Sequence, residues 1–294
     1  MRLALLVALV AIGFGLWAGR PYSVDLLRYG FWRVTAGRAF VGGVVESEGA
    51  RIAWRSIGPL EPGSASPDAL PLLLLHGGFG SDLDWYAEIP TLARRHELLL
   101  VDSRGHGGST LGELPLSYAL LARDALAVLD ALGHPRVDLL GWSDGGNTGL
   151  TLARHHPERL AHLVAISANA SPDGLVPRLR RSIERGEVGS SWVSRALRAL
   201  HSPEPGRRPE LDDRVGSLWQ SHPRLDAEDL RAIVTPTLII AGSEDDILRH
   251  HLEEIARTLP DARLVVLPGV GHDVPQAASA EVLALVEAFL RPAD

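Results

Sequence analysis

The chain has 294 residues, 46% hydrophobic and 22% charged, with a net charge of −7 and no cysteine. That length buries roughly 70–75% of the unfolded surface without metal or disulfide staples, which suits one large domain with an insertion, or at most two domains. The acidic balance leaves no footprint for nucleic acid, and the missing cysteine removes disulfides, thiolate nucleophiles and cysteine metal sites.

All 29 basic residues are arginine. Schiff-base chemistry and a P-loop lysine are thereby excluded, so catalysis must come from Ser, His, Asp, Glu, Tyr or Arg. Leu3 to Gly19 (LALLVALVAIGFGLWAG) carries no charge. As a helix it would span about 26 Å, slightly less than a typical hydrocarbon core. We read it as an uncleaved membrane anchor, with a cleaved signal peptide as the alternative and a buried helix as the third choice. The aromatics and arginines that follow, up to Phe40, suit an interfacial linker. Arg20, Arg28, Arg33 and Arg38 outnumber Arg2, which argues against export of the domain, whereas signal-like logic argues for it. Orientation stays open, so the expected location is membrane-associated through one N-terminal span, or exported.

From about residue 41 the pattern becomes regular. VGGVVESEGARIAWRSIG reads as a hairpin, and PLLLLHGG as a buried parallel strand ending in glycines. Asp82 to Arg95 is expected to be helical, HELLLVD a strand, and Ser117 to Leu132 a helix with Gly133 just past its end. RVDLLGW is the next strand, and a helix runs from Asp144 to His155. RLAHLVAIS, TPTLIIAG and RLVVLPG are strands, and Ser279 to Leu290 closes the chain as a helix. This alternation implies an α/β fold with a mostly parallel sheet covered on both faces. Between Ser167 and Thr235 no buried strand is apparent, only weak helical patterns such as WVSRALRAL. Residues of about 170–232 therefore read as a helical cap inserted into a 41–294 domain. Arginines crowd its first half and acids its second; a solvated surface is preferred over a rim for anionic substrates.

GWSDGG, at 141–146, joins a strand to a helix through one serine. A sharp strand–turn–helix lifts Ser143 above the sheet edge, and Gly141 and Gly145 stand where a Cβ would collide. HGGFG (76–80) ends the first buried strand and offers a backbone N–H. Gly78 is the expected oxyanion donor beside the Asp144 N–H, with Phe79 the alternative. IIAGSEDDI places Asp245 after a strand-closing glycine, with Glu244 and Asp246 as rivals. LPGVGHDVP places His272 in the loop after the last strand. Asp102 and His106 form a tempting second pair. His155–His156 and His250–His251 point apart on helices, so neither makes a metal site alone, and no metal or cofactor is implied.

HGGFG, DSRGHGGS (102–109), GWSDGG and the GSEDD and GVGHD loops together resemble the α/β-hydrolase superfamily over residues 44–291. GWSDGG with ISANA (166–170) looks most like its biphenyl-hydrolase-like and valacyclovir-hydrolase esterase branch. The resemblance implies a Ser143–His272–Asp245 triad forming an acyl-enzyme on a small-molecule ester or related acyl substrate. It also makes the 102–109 loop structural, and suggests Asp144 as a contact for a substrate α-ammonium group. Against that last role stands a plain helix-capping acid that points away from the pocket. Other serine chemistry on this fold (C–C bond hydrolase, lactonase, aminopeptidase, cofactor-free haloperoxidase) is the second reading. A non-catalytic receptor or scaffold is the third.

Overall fold

A computed structural model describes residues 29–35, 40–61, 69–187 and 202–291. Eight strands form one sheet: β1 (Val41–Ser47), β2 (Ala50–Ile57), β3 (Leu72–Leu75), β4 (Leu98–Val101), β5 (Val137–Trp142), β6 (Leu160–Ile166), β7 (Thr237–Gly242) and β8 (Ala262–Leu267). Their spatial order is β1-β2-β4-β3-β5-β6-β7-β8. β2 runs antiparallel to β1 and β4, and all later pairings are parallel. The main helices are α1 (Tyr118–Leu132), α2 (Asp144–His155), α3 (Pro177–Glu184), α4 (Arg208–Ser221), α5 (Arg249–Thr258) and α6 (Ser279–Phe289).

The continuous apolar runs divide between two cores because side chains alternate across a strand. Leu73, Leu75, Leu99, Val101 and Leu139 pack on one face, and Leu72, Leu74, Leu98, Leu100 and Leu140 on the other. All ten are buried, so truncating any one to alanine should cost about 2–5 kcal/mol. The helices hold to the sequence pattern where a local cap exists. Ser117 caps α1 through the Leu120 N–H, and Gly133 ends it at φ 76°.

One expected element is corrected. Asp82 to Arg95 is not one helix but a 3₁₀ turn (Asp82–Trp85) followed by a single α-turn (Ile89–Leu92). Two causes act together. Pro90 lies in the first turn of the second piece, and the Asp82 N–H is drawn to the Asp102 carboxylate at 3.0 Å. Residues 29–35 are helical, with Tyr29 buried and stacked on Trp32 (centroids 5.8 Å apart) and Arg33 3.5 Å from Asp82. The domain's packing thus extends N-terminal of the residue-41 boundary read from sequence.

The Leu3–Gly19 run lies outside the described residues, as does WVSRALRAL. Among the described residues no helix is long and apolar enough to cross a membrane. Between β6 and β7 the described residues include α3, α4 and a capped turn at Ala227–Arg231, and no strand of the sheet. β3 lies between β4 and β5, so the chain leaves it first to one side and then to the other. The loops after β3 and β5 meet at that switch point, on the carboxyl edge where doubly wound sheets hold their ligands.

Candidate active site

Ser143 sits between β5 and α2 with φ 53° and ψ −115°. Holding a residue with a Cβ there costs about 1–3 kcal/mol, so the surroundings must enforce it. They do so by close backbone approach: a Cβ at Gly145 would strike the Leu75 carbonyl, and one at Gly141 the Gly145 carbonyl. The Ser143 N–H is tied to Ile166 O on β6 at 2.8 Å.

The three residues expected to act together are brought together. His272 Nε2 lies 3.0 Å from Ser143 Oγ, and His272 Nδ1 lies 2.7 Å from Asp245 Oδ1. Two acceptors meet at the Asp245 contact unless Nδ1 carries a proton, so Nε2 is left to accept from the serine hydroxyl. Asp245 has three further donors: Ser167 Oγ at 2.6 Å, the Ile247 N–H at 3.1 Å and the Gly242 N–H at 3.2 Å. Burial pushes the Asp245 carboxyl upward, but its bond to His272 and the remaining donors outweigh this and hold it below the usual carboxylate value. For His272 burial favours the neutral ring, yet Asp245 more than compensates and the imidazole is held above its ordinary value. The rivals are placed elsewhere: Glu244 is exposed, and Asp246 pairs with Arg178 at 2.7 Å.

The donors expected for an oxyanion are separated by the geometry. Among the described residues the Gly78 and Asp144 N–H groups have no protein acceptor. The Phe79 N–H, the alternative, instead donates to His106 Nε2 at 3.0 Å. His106 Nδ1 lies 2.9 Å from Arg104 O, so the ring bridges two loops and is not positioned as a second catalytic histidine. Asp102 likewise binds the Asp82 and Gly108 N–H groups at 3.0 and 2.9 Å. Arg104 and Asp124, both fully buried, add a bidentate pair at 2.7 Å that pins this loop to α1.

Asp144 is buried, and its side chain does not cap its own helix. Oδ1 accepts from Tyr118 Oη at 2.7 Å and from Trp219 Nε1 at 2.9 Å; the indole also reaches Oδ2 at 3.1 Å. Burial raises its carboxyl above the usual value, and the two hydrogen bonds only moderate this. A Cβ at Gly78 would come within 2.5 Å of the Trp219 ring and 2.7 Å of Asp144 Oδ2. A small cavity between these groups and the cap is lined by Gly78, Asp144, Leu116, Leu121, Val215 and Leu218. Most described cap arginines are paired: Arg178 with Asp246, Arg180 with Asp173, Arg185 with Glu187, Arg207 and Arg214 with Glu210, and Arg208 with Asp212.

Trp142, Ser167, Tyr118 and Trp219 were not singled out by sequence. Trp142 donates to His272 O at 2.9 Å, and its ring leaves no room for a Cβ at Gly77. Trp142 lay inside G-W-S and Ser167 inside ISANA, though neither motif showed its contact; Tyr118 and Trp219 act across long sequence separations. Among the described residues no three His, Asp or Glu side chains are grouped to hold a metal. His251 turns inward, its Nε2 accepting the Ala170 N–H at 3.0 Å, while His250 is exposed.

The profile of the alpha/beta hydrolase family matches residues 72–285, and the chain belongs to that family. A protein named "Putative carbamate hydrolase RutD" from Caulobacter sp. (strain K31) is 29% identical over 253 residues, covering 75% of this chain and 92% of its own. The protein of that name from Pseudomonas savastanoi pv. phaseolicola is 31% identical over 225 residues, covering 69% and 86%. The crystal structure of a hydrolase from Pseudomonas aeruginosa PA01 superposes with a TM-score of 0.68 at 27% identity, covering 85% of this chain and 98% of that one. The fold and the hydrolase class follow from these.

Proposed function

We propose that this hydrolase cleaves carboxylic esters or related acyl bonds through a serine acyl-enzyme. The observation that carries the reading is the continuous contact Ser143–His272–Asp245, closed at 3.0 and 2.7 Å. Ser143 attacks the carbonyl carbon while His272 Nε2 takes the hydroxyl proton. His272 then gives that proton to the leaving group, and Asp245 holds the ring and its charge. The Asp144 and Gly78 N–H groups receive the developing oxyanion. Water, activated by the same histidine, releases the acid and restores Ser143. The carbamate-hydrolase name of the relatives supports a carbonyl flanked by a heteroatom and widens the class to carbamates. A panel of aryl ester, carbamate, lactone and amide substrates tests this beside Ser143→Ala. Turnover of at least one acyl substrate that disappears in the variant is expected; turnover that survives it excludes the mechanism.

One observation favours α-amino esters within that class. The buried Asp144 carboxylate is bonded by Tyr118 and Trp219, both neutral donors, and among the described residues its Oδ2 carries only the longer arm of the indole bond. A substrate ammonium would supply the missing positive charge. An amino-acid ester and its N-acetyl counterpart distinguish the cases. Acetylation should cost wild type one to two orders of magnitude, roughly 1.4–2.8 kcal/mol, and Asp144→Asn should narrow the gap. Equal rates in wild type exclude the ammonium role.

For location we propose attachment to a membrane through Leu3–Gly19, supported by its lack of charge and by Phe31 and Val34, 74% and 68% exposed on the helical segment that follows. Full-length protein should sediment with membranes. A soluble form with a mature N-terminus near residue 16 or 20 would replace the anchor with a cleaved signal.

A further inference from the structure

One backbone device occurs twice at the carboxyl edge of the sheet. Ser143 follows β5 at φ 53°, and its N–H donates to Ile166 O on β6 at 2.8 Å. Ser167 follows β6 at φ 51°, and its N–H donates to Ile240 O on β7, also at 2.8 Å. Both are serines in left-handed backbone, a conformation that glycine adopts without the Cβ penalty. Ser143 faces the site. Ser167 is only 1% exposed, so no substrate reaches its hydroxyl. A strained side chain sealed from solvent points to a use inside the protein.

Among the described residues its side chain makes one hydrogen bond, to the acid. Ser167 Oγ donates to Asp245 Oδ2 at 2.6 Å, shorter than any of the other three bonds to that carboxylate. The Gly242 and Ile247 N–H groups come from the end of β7 and the acid's own loop, so they shape the loop without fixing it against the neighbouring strand. His272 comes from the loop after β8 and has to be oriented by the acid. Among the described residues Ser167 alone ties the carboxylate to the end of β6, the strand hydrogen-bonded to the nucleophile's strand. A ring of contacts results: Ser143 to His272, His272 to Asp245, Asp245 to Ser167, and Ile166, the residue before Ser167, back to the Ser143 N–H.

We propose that Ser167 is a positioning residue for the acid, locking the Asp245 carboxylate so that Oδ1 faces His272 while Oδ2 shares its charge with the serine hydroxyl. The proposal rests on the Ser143–His272–Asp245 reading and adds a fourth member that never touches substrate. It also explains the left-handed serine. At φ 51° the Cβ of Ser167 is aimed so that a side chain one atom longer than alanine's meets the carboxylate. A glycine would keep the backbone and lose the bond.

The test uses the full-length enzyme and a water-soluble aryl ester, with Ser167→Ala and Ser167→Gly made singly and in an Asp245→Asn background. The glycine variant relieves the backbone, so it folds even where alanine does not. Both single variants should lower kcat about ten-fold with KM within two-fold of wild type, the scale of one hydrogen bond to a charged group. Removing the hydroxyl leaves more of the carboxylate charge on the imidazolium, so the acid limb of the rate profile should move to higher pH. The other acids bearing on His272, Asp246 and Asp273, are unchanged in these variants. In the Asp245→Asn background, adding Ser167→Gly should cost nothing further, because a residue acting through the acid has no route without it. Wild-type kcat and an unmoved limb in a folded Ser167→Gly enzyme would overturn the proposal, as would a ten-fold loss that persists in full beside Asp245→Asn. A wild-type rate for Asp245→Asn alone would instead overturn the triad on which the proposal stands.

Discussion

At the strand ends, backbone approach does the positioning. Gly141 and Gly145 let α2 fold back onto β5 and β3, and the Ser143 and Ser167 N–H groups hook onto adjacent strands. In the insertion above, side chains do it. Trp219 reaches down from α4 to Asp144, Arg207 and Arg214 grip Glu210, and Glu204 Oε2 accepts the Leu111 N–H at 2.7 Å. The floor therefore tolerates almost no added atom, while much of the roof is held by surface ion pairs, each worth about 0–1 kcal/mol. The proposed chemistry thus sits where geometry is stiffest, and the proposed substrate contacts where it can be retuned.

Variants can break that contrast. Ser143→Ala and His272→Ala should each lose up to roughly 10⁶-fold in turnover, with Asp245→Asn losing less, as steady-state kinetics on one aryl ester will show. Next in size, Gly145→Ala forces a Cβ against the Leu75 carbonyl and should destabilise the protein by about 3 kcal/mol, read from urea unfolding. In the roof, Trp219→Phe keeps an aromatic ring, though a smaller one, and removes the indole N–H from a buried carboxylate. It should cost about 1–3 kcal/mol in stability or in kcat/KM. By contrast, Arg180→Ala breaks an exposed pair with Asp173 and should change neither measurably. If Arg180→Ala proves as damaging as Trp219→Phe, the division between floor and roof fails.

A smaller effect is set by pH. Glu88 is fully buried, and burial pushes its pKa up to about 8. The folded value lies above the unfolded one, so Glu88's contribution to stability is complete below the unfolded value of 4.5 and is lost as pH rises towards 8. Glu88→Gln, neutral at every pH, should therefore raise Tm by a few degrees at pH 8 and much less at pH 5. A Tm difference independent of pH would show that Glu88 is already ionised in the fold.

The same contrast explains what could be read in advance. Floor residues announce themselves because strand–turn–helix geometry demands particular types at short spacing: glycine at 141 and 145, serine between them, an acid and a histidine just past two later strands. Spacing alone favours Asp245 over its neighbours, and the geometry adds to that preference, because Glu244 faces out and Asp246 is taken by Arg178. The side-chain locks, in floor and roof alike, join residues with no local signature. Tyr118 and Trp219 meet Asp144 from 26 and 75 positions away, and Ser167 meets Asp245 from 78. The helix expected over Asp82–Arg95 misled for a related reason. Its apolar spacing was helical, but Asp102, 20 positions on, captures the Asp82 N–H and turns the segment. Local periodicity carries the layers; the side chains that lock them to one another act at long range.

The central claim is that Ser143 carries the acyl group. The most direct measurement is mass spectrometry of the full-length protein after reaction with a fluorophosphonate, followed by peptide mapping, in wild type and Ser143→Ala. The account predicts one phosphonyl adduct, on the peptide bearing Ser143, and none in the variant. An adduct on another residue, or one that persists in Ser143→Ala, would contradict it.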